Sequence, residues 1–330
     1  MRNLILMADS VNPWRNLAVE ALLFEQEGRR ARVMYLWQNS NTVVIGRHQN
    51  AWKECRVQLL ESEGGTLARR LTGGGAVYHD LGNLNFSFVA PEETLDVPRQ
   101  LAVVRRAVGC FGVDAVFSGR NDLVLAGDGA KFSGNAFRHS GGVGLHHGTV
   151  MVDVGVEKLG RYLAPDEGKL RAKGIDSVRS RVRNLREVAP AITVPALSEA
   201  LREAFEAEFG PAVRLTVSDL DARRLAALEA EFADWDFRLG KALPFDVTLD
   251  HRFAWGSIAL HLELKAGVVA RAQAYSDAMD EAMVAAVAPA LTGVRYENAA
   301  LAAALRGLGQ AQALELADWI NETDLGGHGS

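Results

Sequence analysis

Apolar residues recur at helical spacing in two segments of the first half of the chain. The first segment follows Asn12-Pro13, a typical helix N-cap with proline at the first helical position. Its apolar positions are Trp14, Leu17, Ala18, Ala21 and Leu22. Those of the second segment are Val97, Leu101, Val104, Val108 and Phe111. The spacing predicts one helix from Pro13 to about Glu27 and a second amphipathic helix from Val97.

Runs rich in β-branched and aromatic residues predict strands between these helices and after them. "RVMYLW" and "TVVIG" are separated only by "QNSN", which favours a hairpin. Further strands are expected at "LNFSFV", "NDLVL", "KFSGNAF" and "LHHGTVMVDV", between residues 84 and 154. From about Leu197 to Trp235 the pattern is helical, with Leu225, Leu228 and Phe232 on one face.

The pattern changes near residues 238–246, which predicts a domain boundary there. Residues 258–264 alternate strictly between apolar and polar, which is typical of a half-buried strand. "GVVARAQAYSD" is its expected partner, and two or three short helices end the chain. A chain of 330 residues suits this division into two domains, 1–240 and 245–330.

Composition narrows the function classes. The chain has 36 basic and 41 acidic residues and a net charge of −5, which argues against nucleic acid as the main partner. Its two cysteines, Cys55 and Cys110, are too few for a disulfide framework and fit a reducing cytoplasm. The apolar run near the N-terminus is too short for a signal peptide, and no 18-residue apolar stretch occurs. We therefore expect a cytoplasmic protein that binds no membrane.

The segment "RRLTGGGAVYHDLGN", residues 69–83, places three consecutive glycines beside an arginine pair. Glycine-rich turns expose several backbone N–H groups, and adjacent arginines add charged donors, so the segment is a candidate anion site. A glycine-rich turn with solvated arginines is an equally good interpretation of these residues alone. Within it, "GGGAVYHDLG" fails the G-x-G-x-x-G dinucleotide pattern, and "GDGAKFS" at residues 127–133 fails the spacing of a Walker loop.

Lys131 and three histidines are further candidates for chemistry. Lys131 lies in a predicted strand among small residues, where it could hold a carboxylate and a phosphate together, or could simply face solvent. His79, His146 and His147 lack the spacing of a zinc site. On a strand, His146 and His147 point to opposite faces, and we expect at least one of them to be a hydrogen-bonded structural residue.

These motifs together resemble the lipoate-protein ligase A family of the biotin/lipoate ligase superfamily. The segments that carry the resemblance are "RRLTGGGAVYHDLGNLNFSF", "GRNDLVLAGDGAKFSGNAFRHSGGVGLHHGT" and "LRAKGIDSVRSRVRNL", and similarity extends from about Ala8 to Trp319. The resemblance implies an α/β (α+β) fold, with a catalytic domain of mixed and antiparallel sheets and helices and a small α+β C-terminal accessory domain. It also implies an enzyme that uses ATP and Mg²⁺ to convert lipoate to lipoyl-adenylate, with release of pyrophosphate. The enzyme then transfers the lipoyl group to a lysine of a carrier domain.

The resemblance also implies roles for individual residues. Lys131 is the expected catalytic residue, in contact with both lipoate and the α-phosphate. The residues implied for ATP and adenylate are Arg70, Gly75, Ala76, Val77, Tyr78, Asn121, Asp122, Lys131, Lys173, Arg179 and Arg181. Those implied for lipoate are Leu17, Glu20, Trp37, Val44, Arg70, Gly74, His79, Lys131 and His147. Asp122 is the candidate ligand for Mg²⁺.

The implied partners are apo lipoyl domains of 2-oxoacid dehydrogenase acyltransferase subunits and the glycine-cleavage H protein. The protein itself is expected to be a monomer. Related transferases that use a cysteine thioester are disfavoured, because no cysteine follows Cys110. A biotin protein ligase is disfavoured because the "GRGRRG" loop is absent. A transferase restricted to preformed lipoyl-nucleotide and a non-catalytic lipoyl-binding module both stay open. The choice between lipoate and octanoate is not predicted, since medium-chain acids differ by contacts worth only about 1–3 kcal/mol.

Overall fold

The structure is a computed structural model that describes residues 1–119, 122–163, 182–239, 247–265, 267–323 and 325. The chain forms two compact units. The first comprises Met1–Ile45, Ala51–Arg70 and Ala76–Arg238, and the second comprises Gly46–Asn50, Leu71–Gly75 and Leu239–Ser330. Two short segments of the N-terminal half therefore belong to the C-terminal unit.

The first unit is built from the following strands and helices. The strands are β1 (Arg2–Met7), β2 (Ala31–Trp37), β3 (Thr42–Ile45), β4 (Thr66–Arg69), β5 (Val77–His79), β6 (Asn83–Pro91), β7 (Ala115–Ser118), β8 (Asp122–Leu125), β9 (Lys131–Ser140), β10 (Val143–Met151) and β11 (Val213–Leu215). The helices are α1 (Pro13–Gln26), α2 (Ala51–Glu54), α3 (Val57–Ser62), α4 (Val97–Gly109), α5 (Val156–Tyr162), α6 (Val194–Phe209), α7 (Ala222–Ala233) and α8 (Trp235–Leu239).

Both predicted N-terminal helices are confirmed. In α1 the Asn12 side chain accepts from the backbone N–H groups of Trp14 and Arg15, as its sequence position predicts. The predicted helical stretch from Leu197 to Trp235 is confirmed only at its two ends. It breaks after Phe209, where Gly210 has a φ of 93° and proline follows. The intervening chain adds the short strand β11 to the edge of the sheet.

Eight strands form the main sheet in the order β11-β1-β2-β6-β10-β9-β8-β7. The pairs β11–β1 and β1–β2 are parallel, and the remaining neighbours are antiparallel. A separate three-stranded sheet has the order β4-β3-β5. The hairpin predicted for "RVMYLW" and "TVVIG" is wrong, because β2 pairs with β1 and β6 while β3 pairs with β4 and β5.

One face of the main sheet carries the hydrophobic core of this unit. Met34, Leu36, Phe86, Phe88 and Val150 alternate on β2, β6 and β10 and pack with apolar residues of α4 and α6. Each of these five side chains is at most 1% exposed. Because successive strand residues point to opposite faces, the residues between them lie on the other face, which we call the site face. Helix α1 covers that face, since Glu20 contacts Ser87 of β6 and His147 of β10.

The second unit contains a three-stranded antiparallel sheet and three helices; the helices and two of the strands were predicted, and the first strand was not. The strands are β12 (Val247–Phe253), β13 (Gly256–Lys265) and β14 (Val268–Ser276), and the helices are α9 (Glu281–Leu291), α10 (Asn298–Arg306) and α11 (Ala311–Glu322). The alternating residues Ile258, Leu260 and Leu262 are buried against the helices, which confirms the half-buried strand.

The first two glycines of the triple-glycine segment are explained within this second unit. A Cβ on Gly73 would lie 2.3 Å from the carbonyl oxygen of Ala278. Gly74 has a φ of 90°, and its N–H donates to the same carbonyl at 3.1 Å. A Cβ on Gly46 would in turn lie 2.2 Å from the carbonyl oxygen of Gly74. Glycine is required here because main chain packs directly on main chain. No described helix is long and apolar enough to cross a membrane.

Candidate functional site

Polar residues form rows across the site face of the main sheet. Directly opposed residues of antiparallel strands share a face. Ala136, His147, Ser87 and Tyr35 therefore form one row, over β9, β10, β6 and β2. A second row begins with Asp122 opposite Gly134. The Gly134 N–H donates to Thr149, which lies opposite Asn85, and Asn85 lies opposite Trp37.

Lys131 reaches this face because of a β-bulge. Leu123 pairs with Ser133 but Val124 pairs with Lys131, so Phe132 is an extra residue in β9. Strict alternation from Gly134 would put Phe132 on the site face and Lys131 on the core face. The bulge reverses this phase. Phe132 is fully buried in the core, and the Lys131 ammonium lies on the site face.

The Lys131 side chain is held between a carboxylate and a glycine. Its Nζ lies 2.7 Å from Asp122 Oδ1, and both side chains are about one-third exposed. A Cβ on Gly134 would lie 3.0 Å from Nζ and 3.1 Å from Cε, so the glycine leaves room for the ammonium. The Lys131 carbonyl accepts the N–H of Arg183 at 2.9 Å. Lys131 and Asp122 thus form an ion pair that an anionic substrate can compete for.

The two arginines before the triple glycine, Arg69 and Arg70, donate hydrogen bonds to different parts of the backbone. Arg69 donates to the carbonyl oxygens of Phe237 and Arg238, at 2.9 Å and 2.8 Å, and so holds the end of α8. Arg70 is 6% exposed, and its Nη1 donates to the Val44 carbonyl at 3.2 Å. Neither arginine is a solvated surface residue, so that interpretation of the pair is wrong. Arg70 stays the candidate for anion contact.

Glu20 is the centre of a buried polar cluster on the site face. Its Oε2 accepts from the Ser87 hydroxyl and lies 2.8 Å from His147 Nδ1. Ser87 Oγ in turn accepts the indole N–H of Trp37 at 3.0 Å. Since a carboxylate accepts here, His147 carries a proton on Nδ1. The structure therefore brings together three residues expected for lipoate, Glu20, Trp37 and His147, and it adds Ser87.

The small sheet contributes residues from β3 and β5. Thr42 pairs with His79 and Val44 with Val77, so these four side chains share one face. The His79 ring lies edge-on to Trp37, with ring centroids 6.2 Å apart, so this face adjoins the site face of the main sheet. Tyr78 points the other way, and its hydroxyl donates to Asn41. Tyr78 can therefore reach a nucleotide only through its backbone.

The two adjacent histidines of β10 face opposite sides, as predicted. His146 lies on the core face and is fully buried, with Nδ1 2.9 Å from Gln100 Oε1 and Nε2 2.9 Å from Asn135 Oδ1. Burial and the nearby His147 lower the pKa of His146 to about 3. His146 is a structural residue that links β10 to α4.

The remaining predicted residues fall in three places. Leu17 is 1% exposed on α1. Gly74 and Gly75 belong to the second unit, and Ala76 begins the next segment of the first unit. Asn121, Lys173, Arg179 and Arg181 lie outside the described residues. No group of three or more metal-ligating side chains occurs among the described residues.

Four residues of this site were missed from the sequence: Ser87, Thr149, Gly134 and Asn39, whose Nδ2 lies 3.2 Å from His79 Nδ1. Ser87 and Thr149 stand at alternating positions of apolar strands, and a polar residue on an otherwise buried strand is a usable signal. Gly134 has no such signal. Its role depends on the bulge at Phe132, which the sequence does not show.

Two family models match the chain. The lipoyl protein ligase A/B catalytic domain matches residues 12–206, more than half of the chain. The bacterial lipoate protein ligase C-terminus matches residues 242–320.

Solved structures agree with these matches. LipL1 of Plasmodium falciparum, crystallised with lipoate, is 25% identical with a TM-score of 0.86, over 97% of this chain and 100% of that one. A bipartite lipoate protein ligase of Thermoplasma acidophilum, studied with its E2 lipoyl domain, is 24% identical with a TM-score of 0.65, over 74% and 98%. Lipoate-protein ligase A bound with ATP is 23% identical with a TM-score of 0.62, over 73% and 99%. The last two likenesses concern the fold.

Proposed function

Because the chain belongs to the lipoyl protein ligase A/B catalytic domain family, and is a ligase of that family, we propose that it uses ATP to convert lipoate to lipoyl-adenylate and pyrophosphate. It then transfers the lipoyl group to a lysine of an apo lipoyl domain. Catalysis is assigned to residues 1–240, and residues 245–330 form the accessory domain.

The observation that carries this proposal is the Lys131–Asp122 ion pair on the site face of the main sheet. Lipoate and ATP are both anions, and their approach is opposed by repulsion. A fixed ammonium can neutralise the carboxylate and the α-phosphate together, and positioning of this kind supplies much of the barrier lowering in such reactions. Asp122 holds the ammonium in place before substrates arrive.

In the first step a lipoate carboxylate oxygen attacks the α-phosphorus, and pyrophosphate leaves. Lys131 stabilises the negative charge on the oxygens that surround the reacting centre. Arg70 is the second cation for this region, supported by its burial and by its link to the Val44 carbonyl. Lys173, Arg179 and Arg181 are proposed to contact the phosphates, on the strength of the family resemblance.

The acyl chain is proposed to lie between the site face and the small sheet. Leu17, Val44 and Trp37 supply apolar surface, and Glu20 and His147 form the polar floor. Gly74, Gly75, Ala76, Val77 and the backbone of Tyr78 are proposed to line the adenylate. LipL1 was crystallised with lipoate, which supports an acyl site in this fold.

In the second step the carrier lysine attacks the acyl carbonyl, an amide forms and AMP leaves. The Thermoplasma ligase was studied with an E2 lipoyl domain, which supports carriers of that class. We propose acyltransferase subunits of 2-oxoacid dehydrogenases and the glycine-cleavage H protein as the carriers. Free thiols at Cys55 and Cys110 support a cytoplasmic location.

Mg²⁺ is proposed to enter with ATP. This ion is usually held by substrate phosphates and one or two carboxylates, not by a protein cage. The described residues fit that pattern, since they offer Asp122 near the reacting centre and no cluster of three ligands. Asp122 would then supply one carboxylate oxygen.

The test is a reaction of purified protein with MgATP, lipoate and an apo lipoyl domain, read by intact mass and pyrophosphate release. We expect the carrier to gain one lipoyl group with stoichiometric pyrophosphate. Modification only when lipoyl-adenylate replaces ATP and lipoate would establish the alternative, a transferase that uses preformed lipoyl-nucleotide. Failure with both substrates would refute the proposed function.

A further inference from the structure

A series of hydrogen bonds between buried side chains determines which ring nitrogen of His79 carries the proton. Tyr35 donates its hydroxyl proton to Asn16 Oδ1 at 3.1 Å. Asn16 Nδ2 donates to the backbone carbonyl of Gln38 at 2.7 Å. Because a carbonyl can only accept, the orientation of the Asn16 amide is determined.

The same logic extends one residue further. Asn16 Nδ2 also donates to Asn39 Oδ1 at 3.0 Å, which turns Asn39 Nδ2 toward His79. Asn39 Nδ2 lies 3.2 Å from His79 Nδ1. An amide nitrogen can only donate, so Nδ1 must accept. The proton of neutral His79 is therefore on Nε2.

His79 is neutral at physiological pH. Burial, together with the nearby Arg70 and His147, lowers the pKa of His79 to about 3. The residue is 3% exposed, and its Nε2 has no hydrogen-bond partner among the described residues. Buried N–H groups in native proteins are almost always paired, so a donor that is oriented by its neighbours and is itself unpaired points to a ligand.

The position of His79 determines which end of the acyl substrate lies next to its ring. Its ring lies edge-on to Trp37 of β2, whereas the Lys131 ammonium lies over Gly134 of β9. The row from Gly134 to Trp37 crosses three strand spacings, roughly 14 Å at about 4.8 Å per spacing. With the carboxylate at Lys131, an extended eight-carbon chain brings its far end toward Trp37 and His79.

We propose that His79 Nε2–H donates a hydrogen bond to a dithiolane sulfur and thereby makes the site select lipoate over octanoate. This inference rests on the proposed function. The lipoate tail carries two sulfur atoms, which are weak acceptors, and the octanoate tail carries no acceptor. Octanoate therefore leaves the buried donor unpaired, and sites built around a donor discriminate against substrates that lack the acceptor.

Two substitutions of His79 distinguish the effect of the Nε2–H donor from the effect of the hydrogen bond to Asn39. In His79→Gln the amide oxygen can accept from Asn39, and the amide nitrogen then extends to about where Nε2 lies. In His79→Asn the shorter side chain can still meet Asn39, but its donor does not reach the acyl pocket. Thermal unfolding of both variants establishes that they fold.

The experiment measures kcat/KM for acyl-adenylate formation with lipoate and with octanoate. We expect His79→Asn to reduce the preference for lipoate by roughly tenfold, through the lipoate reaction alone, and His79→Gln to retain most of it. In ¹⁵N spectra of the wild-type protein, lipoate should shift the Nε2 resonance and octanoate should leave it in place.

Equal loss with both acids would overturn the proposal, because it would place the donor at the carboxylate end. An unchanged preference in His79→Asn would overturn it as well. If wild-type protein forms no acyl-adenylate from either acid, the proposed function has failed. Calorimetric binding of the two acids then decides the role of His79, and equal affinities, or no binding, would reject it.

Discussion

The two faces of the main sheet are formed by the same strands, but one is apolar and packs against helices while the other carries polar and charged side chains. The core face buries Phe86, Phe88 and Phe132 against α4 and α6. The site face carries Glu20-bound His147, Ser87 and the Lys131 ammonium. We expect stability to depend mainly on the first face, and we propose that the chemistry takes place on the second, although their residues are only one position apart in sequence.

The histidine pair of β10 shows the difference most directly. Each ring nitrogen of His146 lies within hydrogen-bonding distance of a side-chain amide inside the protein, that of Gln100 or that of Asn135, and the ring packs against aromatic rings such as Phe137. His147 contacts the carboxylate of Glu20 in the buried cluster that also contains Ser87 and Trp37. The buried polar group on the core face thus links elements of the structure, whereas we propose that those on the site face contact a ligand.

Removal of the Lys131 ammonium should lower the activity assigned to the site face and leave the stability of the core unchanged. Lys131→Ala is expected to lower adenylate formation by about 10²–10³-fold, because one preorganised charged group is lost at the reacting centre. Lys131→Arg should rescue little, since a planar guanidinium does not replace a compact ammonium at a confined site. Pyrophosphate release at saturating ATP and lipoate is the measurement.

The control is Lys158→Ala, which removes an exposed lysine of α5. It should leave the rate unchanged. Pyrophosphate release near the wild-type rate in Lys131→Ala would move the catalytic assignment to Arg70.

A large-to-small change on the core face should have the converse effect. Phe88→Ala removes a fully buried ring that stacks on Phe205 of α6, and we expect a loss of about 3–5 kcal/mol in the free energy of unfolding. Urea denaturation measures this loss. The matched control is Phe117→Ala on β7, where the ring is 47% exposed and the loss should be well under half as large. Similar losses for the two variants would contradict the assignment of the core face.

Acidification should destabilise the protein through two buried histidines, His146 on the core face of the main sheet and His79 on the small sheet. The pKa values of His146 and His79 are lowered to about 3, mainly by burial, while the unfolded chain has an ordinary value of about 6.5. Between these values the unfolded state binds more protons, so stability is complete above about pH 6.5 and falls as the pH decreases.

The expected slope is up to about 1.4 kcal/mol per pH unit for each histidine below its unfolded pKa. Unfolding free energies at a series of pH values between 7.5 and 4.5 measure it. His79→Gln removes one of the two groups and should make the profile shallower. A profile unchanged by that substitution would show that His79 is not buried in its neutral form.

The smallest expected effect tests the space that Gly134 leaves for Lys131. A methyl group there would lie 3.0 Å from Nζ and displace a flexible side chain rather than backbone. We therefore expect Gly134→Ala to retain its melting temperature within a few degrees and to lose roughly tenfold in adenylate formation. Gly160→Ala in α5, where nothing lies within 4 Å of the added methyl, is the control and should be neutral. A rate equal to wild type in Gly134→Ala would show that Lys131 adapts.

The sequence by itself determined the elements whose signals are local. Helix periodicity located α1 and α4, the Asn12 cap defined the start of α1, and strict alternation identified β13 and its buried face. Alternation also predicted that His146 and His147 face opposite sides. The motifs around Lys131 and the triple glycine were sufficient to identify the family, because they are contiguous segments.

Tertiary structure decided the features that depend on residues far apart in the chain. The bulge that brings Lys131 to the site face exists because Phe132 is buried in the core formed with α4 and α6. Strands β2 and β3 separate into different sheets although a turn-like segment joins them, because β3 pairs with β4 and β5. Gly73 and Gly74 are required by contact with Ala278, some 200 positions later. Local propensity contains none of this information, since the deciding free energy comes from burial and pairing between distant segments.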